Sequence, residues 1–159
     1  MAAQAARVLL RASVVGMDVR RYMTRNPVIV GPNDSVRKAR LLMRQGHVRR
    51  LPVVEDRRVV GIVTDRDIWE RSPACVPEPQ EADGPDLADH LRIMGMMTLR
   101  PVTIPVTLSV VDAARRLRES RVGCLLVLED GGLVGILTKS DLIDALLDGY
   151  GSPVNASRS

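Results

Sequence analysis

Phenylalanine is absent from this sequence, and Trp69, Tyr22 and Tyr150 are its only aromatic residues. A core must therefore be built from Val, Leu, Ile, Met and Ala, and little is available to stack on unpaired bases. Lysine is scarce as well: Lys38 and Lys139 apart, the basic residues are all Arg, 21 of 23. Arg favours planar, bidentate contact with phosphate or carboxylate, although a solvated Arg-rich surface accounts for the same composition. Two cysteines, Cys75 and Cys124, and two histidines, His47 and His90, are too few and too scattered for a disulfide framework or a zinc site. A reducing cytoplasm fits that usage. No apolar run approaches the roughly 18 residues needed to cross a membrane, and no secretion signal is recognisable.

What is present suits a globular protein. The chain has 159 residues, 45% of them apolar, with a formal charge of +4, enough length for a core without staples. A charge of +4 is modest for a nucleic-acid binder. Residues 1–18 form an N-terminal segment whose Val8, Leu9, Ala12 and Val15 fall on one face of a short helix. The basic, acid-poor start of the chain also has the composition of an organellar transit peptide, but docking as a helix is the preferred reading.

The chain repeats itself. Met-Thr-x-x-Pro-Val occurs at Met23–Val28 and again at Met97–Val102. The shift that carries Met23 onto Met97, continued without a gap, carries Ser35 onto Ser109, Ala39 onto Ala113, Glu55-Asp56 onto Glu129-Asp130, and Gly61-Ile62 onto Gly135-Ile136. From 23 to 68, 18 of 46 positions are identical. The spacing predicts a β-α-β-β-α unit twice. Val28 to Val30 reads as a strand, and Ser35 as the N-cap of a helix carrying Val36, Ala39, Leu42 and Met43 on one face. Leu51 to Val54 and Val59 to Val63 read as a hairpin, and a second helix starts near Thr64. Neither unit has a comfortable core alone, so the two are expected to pack as a pseudo-twofold α/β pair. The units are bounded at 19–71 and 92–148. Between them 72–91 is a proline-broken linker (Pro73, Pro77, Pro79, Pro85) and helix entry, with a helix expected from Asp86 to Met97. Residues 149–159 form a polar tail expected to fray, without function.

The chemistry is concentrated at two strand-to-helix junctions, Gly61-Ile62-Val63-Thr64-Asp65-Arg66-Asp67 and Gly135-Ile136-Leu137-Thr138-Lys139-Ser140-Asp141. A helix N-terminus offers unpaired N–H groups to phosphate, Thr adds a hydroxyl, and an Asp one turn in can accept from ribose hydroxyls. Thr-x-x-Asp is equally the pattern of a capping box. Capping boxes favour Glu or Gln, so Asp in both copies leans mildly toward a ligand role, and the two roles can coexist. Cys124 reads as a buried small hydrophobe, His47 as a surface or turn residue, and Met43, Met94, Met96 and Met97 as core fillers.

The run His47–Ile68, preceded by Met23-Thr24-x-x-Pro27-Val28 and repeated in register, resembles a CBS domain, the module named after cystathionine beta-synthase. The resemblance implies a stand-alone tandem CBS pair with two clefts that bind adenosine-containing ligands: AMP, ADP or ATP, or else S-adenosylmethionine or NAD, as regulators with no required cofactor. It further implies Thr64 and Thr138 on phosphate and Asp67 and Asp141 on ribose. One cleft would combine Thr24, Pro27, Val28, Val48, Arg49 and Arg50 with Ile136, Thr138 and Asp141. The other would combine Thr98, Pro101, Val102, Val122, Gly123 and Cys124 with Ile62, Thr64 and Asp67. Family precedent also lets a basic residue at the Arg50 position reach phosphates beside its own repeat's Asp. The second repeat departs from the pattern at Leu126, where the first has Pro52, and at Gly123-Cys124, where the first has Arg49-Arg50, which predicts unequal clefts.

The function expected is therefore a non-enzymatic, cytoplasmic sensor of adenine nucleotides, a homodimer acting on an effector protein in trans. The alternatives are a ligand-free interaction or dimerisation module and, with less support, a nucleic-acid binder using the Arg surface. No catalytic set or metal-ligand cluster emerges, and no membrane partner is expected.

Overall fold

A computed structural model describes residues 16–71 and 87–151. The helix expected around Val8–Val15 and the proline-rich linker lie outside the described residues. The chain divides into two compact units. The N-terminal unit is Asn26–Pro101 with Asp130–Leu133; the C-terminal unit joins the segment ending at Arg25 to Val102–Glu129 and the segment from Val134 onward.

In chain order the elements are α1 (Val19–Tyr22), β1 (Thr24–Arg25), α2 (Val36–Gln45), β2 (Arg50–Glu55), β3 (Arg58–Thr64), α3 (Asp65–Arg71) and α4 (Leu87–His90). A 3-10 turn at Ile93–Gly95 follows, then β4 (Thr98–Leu99), β5 (Thr103–Pro105), α5 (Val110–Ser120), β6 (Cys124–Glu129), β7 (Gly132–Thr138) and α6 (Lys139–Gly151). The N-terminal unit holds a sheet of order β2-β3-β4 and the C-terminal unit one of order β1-β7-β6-β5. Both α/β units follow from the predicted pattern. Ser35 and Ser109 each accept a hydrogen bond from the backbone three residues on, at 3.2 and 3.1 Å, and so cap α2 and α5. α6 continues through Gly149 to Gly151.

The left-handed backbone positions repeat with the sequence. Asn26 and Arg100, His47 and Arg121, Asp56 and Asp130, and Arg57 and Gly131 all have positive φ, and each pair occupies equivalent positions of the two repeats. His47 ends α2: its N–H donates to Arg44 O and Val48 N–H to Met43 O, the paired bonds of a Schellman ending. Asp56-Arg57 and Asp130-Gly131 place two successive left-handed residues in the tight turns of the β2–β3 and β6–β7 hairpins.

Three expectations are corrected. Val28 to Val30 is not a strand: only Val30 bridges to Val53, in parallel, while Val28 and Ile29 are exposed. In the second repeat Leu126 N–H donates to Val102 O and Val106 N–H to Leu128 O, extending the β5–β6 ladder. Pro52 and Pro32 stand at the positions of Leu126 and Val106 and have no N–H to give. The helix expected from Asp86 to Met97 is broken into α4 and the 3-10 turn, because Arg92 is extended and bridges Ser35 while Leu91 O accepts from Val36 N–H. Met94 is no core filler; it is 59% exposed, whereas Met43 and Met96 are buried.

The cores are aliphatic, as the missing aromatics require. In the N-terminal unit Val36, Ala39, Met43, Leu51, Val53, Val63 and Ile68 pack with Ala88, Ile93 and Met96. In the C-terminal unit Ala113, Leu117, Leu125, Val127 and Leu137 pack with Val19 and Met23. The residues leading into each repeat thus complete the core of the other repeat's unit. Cys124 is buried, as expected. Among the described residues no helix is long and apolar enough to cross a membrane.

Candidate functional site

At both strand-to-helix junctions the Thr N–H and hydroxyl donate to the Asp one turn on. Thr64 ends β3, and its N–H and Oγ1 donate to Asp67 Oδ2 at 2.9 and 2.7 Å; Asp67 N–H returns to Thr64 Oγ1 at 3.0 Å. Thr138 ends β7, and its N–H and Oγ1 donate to Asp141 Oδ2 at 2.6 and 2.9 Å. The capping role is therefore present. An aspartate suffices because the turn brings its carboxylate onto the Thr backbone one helical turn back. In each copy both bonds fall on Oδ2, and no described residue donates to Oδ1, so half of each half-buried carboxylate stays available to a ligand.

A short strand from the other repeat runs beside each junction. Thr24 lies opposite Ile136 and Arg25 opposite Gly135, antiparallel. Thr98 lies opposite Ile62 and Leu99 opposite Gly61, in the same manner. Two residues outside the predicted set make this possible. A Cβ on Gly61 would lie 2.7 Å from Met97 Sδ and 3.1 Å from Thr98 O. One on Gly135 would lie 2.9 Å from Met23 Cγ and 3.1 Å from Thr24 O. Glycine admits the Met-Thr segment at this separation, where any side chain would have to displace the methionine and crowd the threonine carbonyl. The sequence signal was a Gly at the same place in both repeats, in the middle of a β-branched strand.

The structure thus brings Thr24, Ile136, Thr138 and Asp141 together in the C-terminal unit, and Thr98, Ile62, Thr64 and Asp67 in the N-terminal unit. Arg50 is opposite Thr64 across β2–β3, and Arg49 O accepts from Asp65 N–H at 3.1 Å, so both arginines flank the Thr64 junction. Val28 and Val48 converge beside Gly46. Val122 and Gly123 lead into β6, which starts at Cys124, and Val102 O accepts from Leu126 N–H. Of the two predicted groups, Pro27, Val28, Val48, Arg49 and Arg50 in one and Val102, Val122, Gly123 and Cys124 in the other belong to the opposite unit from their Thr-x-x-Asp; Pro101 is in the same unit as its own.

Twin α/β repeats, each helix-hairpin-helix in order and the second led by a strand, with each sheet completed by the Met-Thr strand of the other repeat next to a Thr-x-x-Asp turn, define a class of small paired module. The CBS-domain family model matches residues 19–68 and 92–148, and the chain belongs to that family. It is 34% identical over 136 residues to the protein MJ1404 of Methanocaldococcus jannaschii, covering 82% of this chain but 32% of that one. The chain therefore spans about a third of that relative. It is 33% identical over 132 residues to the CBS domain-containing protein DDB_G0289609 of Dictyostelium discoideum, covering 81% of this chain and 90% of that protein. Among solved structures, CBSX2 of Arabidopsis thaliana in complex with AMP superposes with a TM-score of 0.66 at 29% identity, over 84% of this chain and 98% of that one.

Proposed function

We propose that this protein is a non-catalytic regulatory module that binds adenosine-containing ligands, AMP, ADP or ATP foremost, through Thr64–Asp67 and Thr138–Asp141. The observation that carries the reading is the open Oδ1 of Asp67 and Asp141, each beside a Thr hydroxyl and a helix N-terminus. A carboxylate oxygen accepts from ribose hydroxyls, and the helix start and hydroxyl suit phosphate. The AMP complex of CBSX2 supports adenine nucleotide as the ligand class. S-adenosylmethionine and NAD share the adenosine moiety and belong in the same test. The reading includes the remaining predicted contacts from Thr24, Thr98, Pro27, Pro101, Val28, Val102, Val48, Val122, Arg49, Arg50, Gly123, Cys124, Ile62 and Ile136. It also includes a cytoplasmic setting, a twofold homodimer, the default symmetry of such assemblies, and an effector in trans. Occupancy would act by favouring one of two conformations, to the extent that the ligand binds them differently.

Titration calorimetry with AMP, ADP, ATP, S-adenosylmethionine and NAD tests it on wild type, Asp67→Ala and Asp141→Ala. A charge-assisted hydrogen bond contributes about 1.5 to 3 kcal/mol, so each substitution should weaken its own site by roughly ten- to a hundredfold. Unaltered affinity in both variants, or no binding of any of the five ligands, would sink the reading.

A further inference from the structure

Three cations of the C-terminal unit meet around one cavity with no acid among them. The cavity lies between α5 and α6, encloses about 380 Å³, and is lined by Ala114, Leu117, Leu142, Arg118, Arg121 and Lys139. Arg118 stands in the last turn of α5, Arg121 ends that helix in the left-handed conformation with φ 53°, and Lys139 is the first residue of α6. None of the three side chains has an ion pair or hydrogen bond among the described residues. The acids Asp112, Asp141 and Asp148, on the same two helices, pair instead with Arg115, Thr138 and Tyr22.

The repeat does not dictate this charge. The shift that carries Met23 onto Met97 carries Asp65 onto Lys139, His47 onto Arg121 and Arg40 onto Ala114; among the cations only Arg44 and Arg118 correspond. The equivalent cavity between α2 and α3 is lined by Asp65 and by Arg66, which Glu70 engages at 2.6 Å. The first cavity therefore carries both signs and the second only one. Like charges gathered at a cleft with a buried apolar floor, here Leu117, repel one another and focus their field on whatever enters. A multivalent anion reverses that balance.

We propose that this cavity binds a phosphoryl-bearing polyanion of about diphosphate size through Arg118, Arg121 and Lys139. The planar forks of the two arginines match phosphate oxygens, and Lys139 adds a compact charge. A monocarboxylate brings too little charge to balance three cations. Phosphoryl groups reach the cavity from either of two sources. One is a free anion, and the other is the phosphate chain of a nucleotide at the Thr138–Asp141 turn, because Lys139 follows Thr138 directly. The site itself needs neither ribose nor base, so it does not rest on nucleotide binding.

Pyrophosphate is the probe, titrated calorimetrically into the full chain at constant ionic strength, with sulfate as the comparison. The expected result is saturable binding of pyrophosphate and weaker binding of sulfate. Arg121→Gln and Lys139→Gln should each weaken pyrophosphate about fivefold, the effect of one exposed ion pair, and the double variant more. Arg44→Gln, at the first-cavity position matching Arg118, should have no effect, and circular dichroism melts confirm that the variants fold. Displacement of pyrophosphate by ATP but not by adenosine supports the site with a nucleotide chain as its source; simultaneous binding of ATP and pyrophosphate supports it with a free anion. No binding of pyrophosphate, undiminished affinity in the folded double variant, or sulfate bound as tightly as pyrophosphate overturns the proposal. So does an equal loss in Arg44→Gln, which would mean general surface charge, or a loss confined to Arg50→Ala, which would move the anion to the Thr64 junction.

Discussion

Thr24 of the first repeat lies opposite Ile136 of the second, and a Cβ on the neighbouring Gly135 would press on the Met23 side chain and crowd Thr24 O at 3.1 Å. Gly61 stands in the same relation to Met97 and Thr98. The repeats are therefore joined by exchanged strands, and the exchange places a threonine from one repeat beside the Thr-x-x-Asp turn of the other.

Gly135→Ala should displace Met23 and the Thr24 strand. Met23 belongs to the C-terminal core, so overpacking of about 1 to 3 kcal/mol is expected, read as a lower midpoint of thermal or urea unfolding. Nucleotide affinity at the Thr138–Asp141 turn should fall with it, and Gly61→Ala should do the same for the Thr64–Asp67 turn. Retained stability in both variants would mean that the exchanged strands shift without cost.

Arg57 offers a test of opposite sign. It occupies a left-handed position with φ 65°, where the second repeat has Gly131 at φ 78°. A side chain in that conformation costs about 1 to 2 kcal/mol, against about 0.5 to 1 kcal/mol for the freedom glycine gains on unfolding. Arg57→Gly should therefore stabilise the protein by about 0.5 to 1 kcal/mol, seen as a higher melting temperature. The hairpin turn is exposed, so ligand affinity should not change.

Much of this was legible in the sequence alone, and what was not has identifiable causes. The in-register repeat carried the α/β class, the two hairpins, the helix caps at Ser35 and Ser109 and both Thr-x-x-Asp turns, because each depends on local spacing or on a side chain bonding within one helical turn. The failed strand at Val28–Val30 has the right residue types; it lacks donors, since Pro32 and Pro52 remove the N–H groups that Val106 and Leu126 supply in the second repeat. The interruption at Leu91-Arg92 comes from a partner in the preceding repeat, far outside any local window, where Val36 N–H donates to Leu91 O. The two glycines at the site were visible as residues, but their requirement comes from Met23 and Met97, whose approach is tertiary.

Asp34 gives the protein a defined response to acid. Its partial burial pushes the carboxyl pKa up, but hydrogen bonds from Lys38 Nζ at 2.8 Å and Gly31 N–H at 2.7 Å, with the Lys38 charge, outweigh that and hold it below the usual carboxylate value. A pKa depressed by folding contributes stability above the unfolded value, and that contribution is lost as pH falls through the folded one. The stability gap between wild type and Asp34→Asn should be constant from neutral pH to about 5 and close below about 4. Urea titrations across that range measure it. A gap that widened in acid would mean that Asp34 is not the charged anchor of this turn.

The two sites should differ in how strongly they respond to phosphate. Arg50 is opposite Thr64 across an antiparallel pair, which sets the two side chains on one face of the sheet. The matching position in the second repeat is Cys124, buried and without a formal charge to offer phosphate. If Arg50 reaches the phosphates beside Thr64, removing it should cost more the more phosphate the ligand carries. Arg50→Ala is expected to weaken ATP about tenfold or more, in line with one charge-assisted contact, to weaken AMP less, and to leave adenosine unaffected. Cys124→Ala should leave the ranking of the three as it is in wild type. Competition calorimetry with adenosine, AMP and ATP resolves this. A uniform loss across all three in Arg50→Ala would place the arginine on the nucleoside, and its charge would then have no part in counting phosphates.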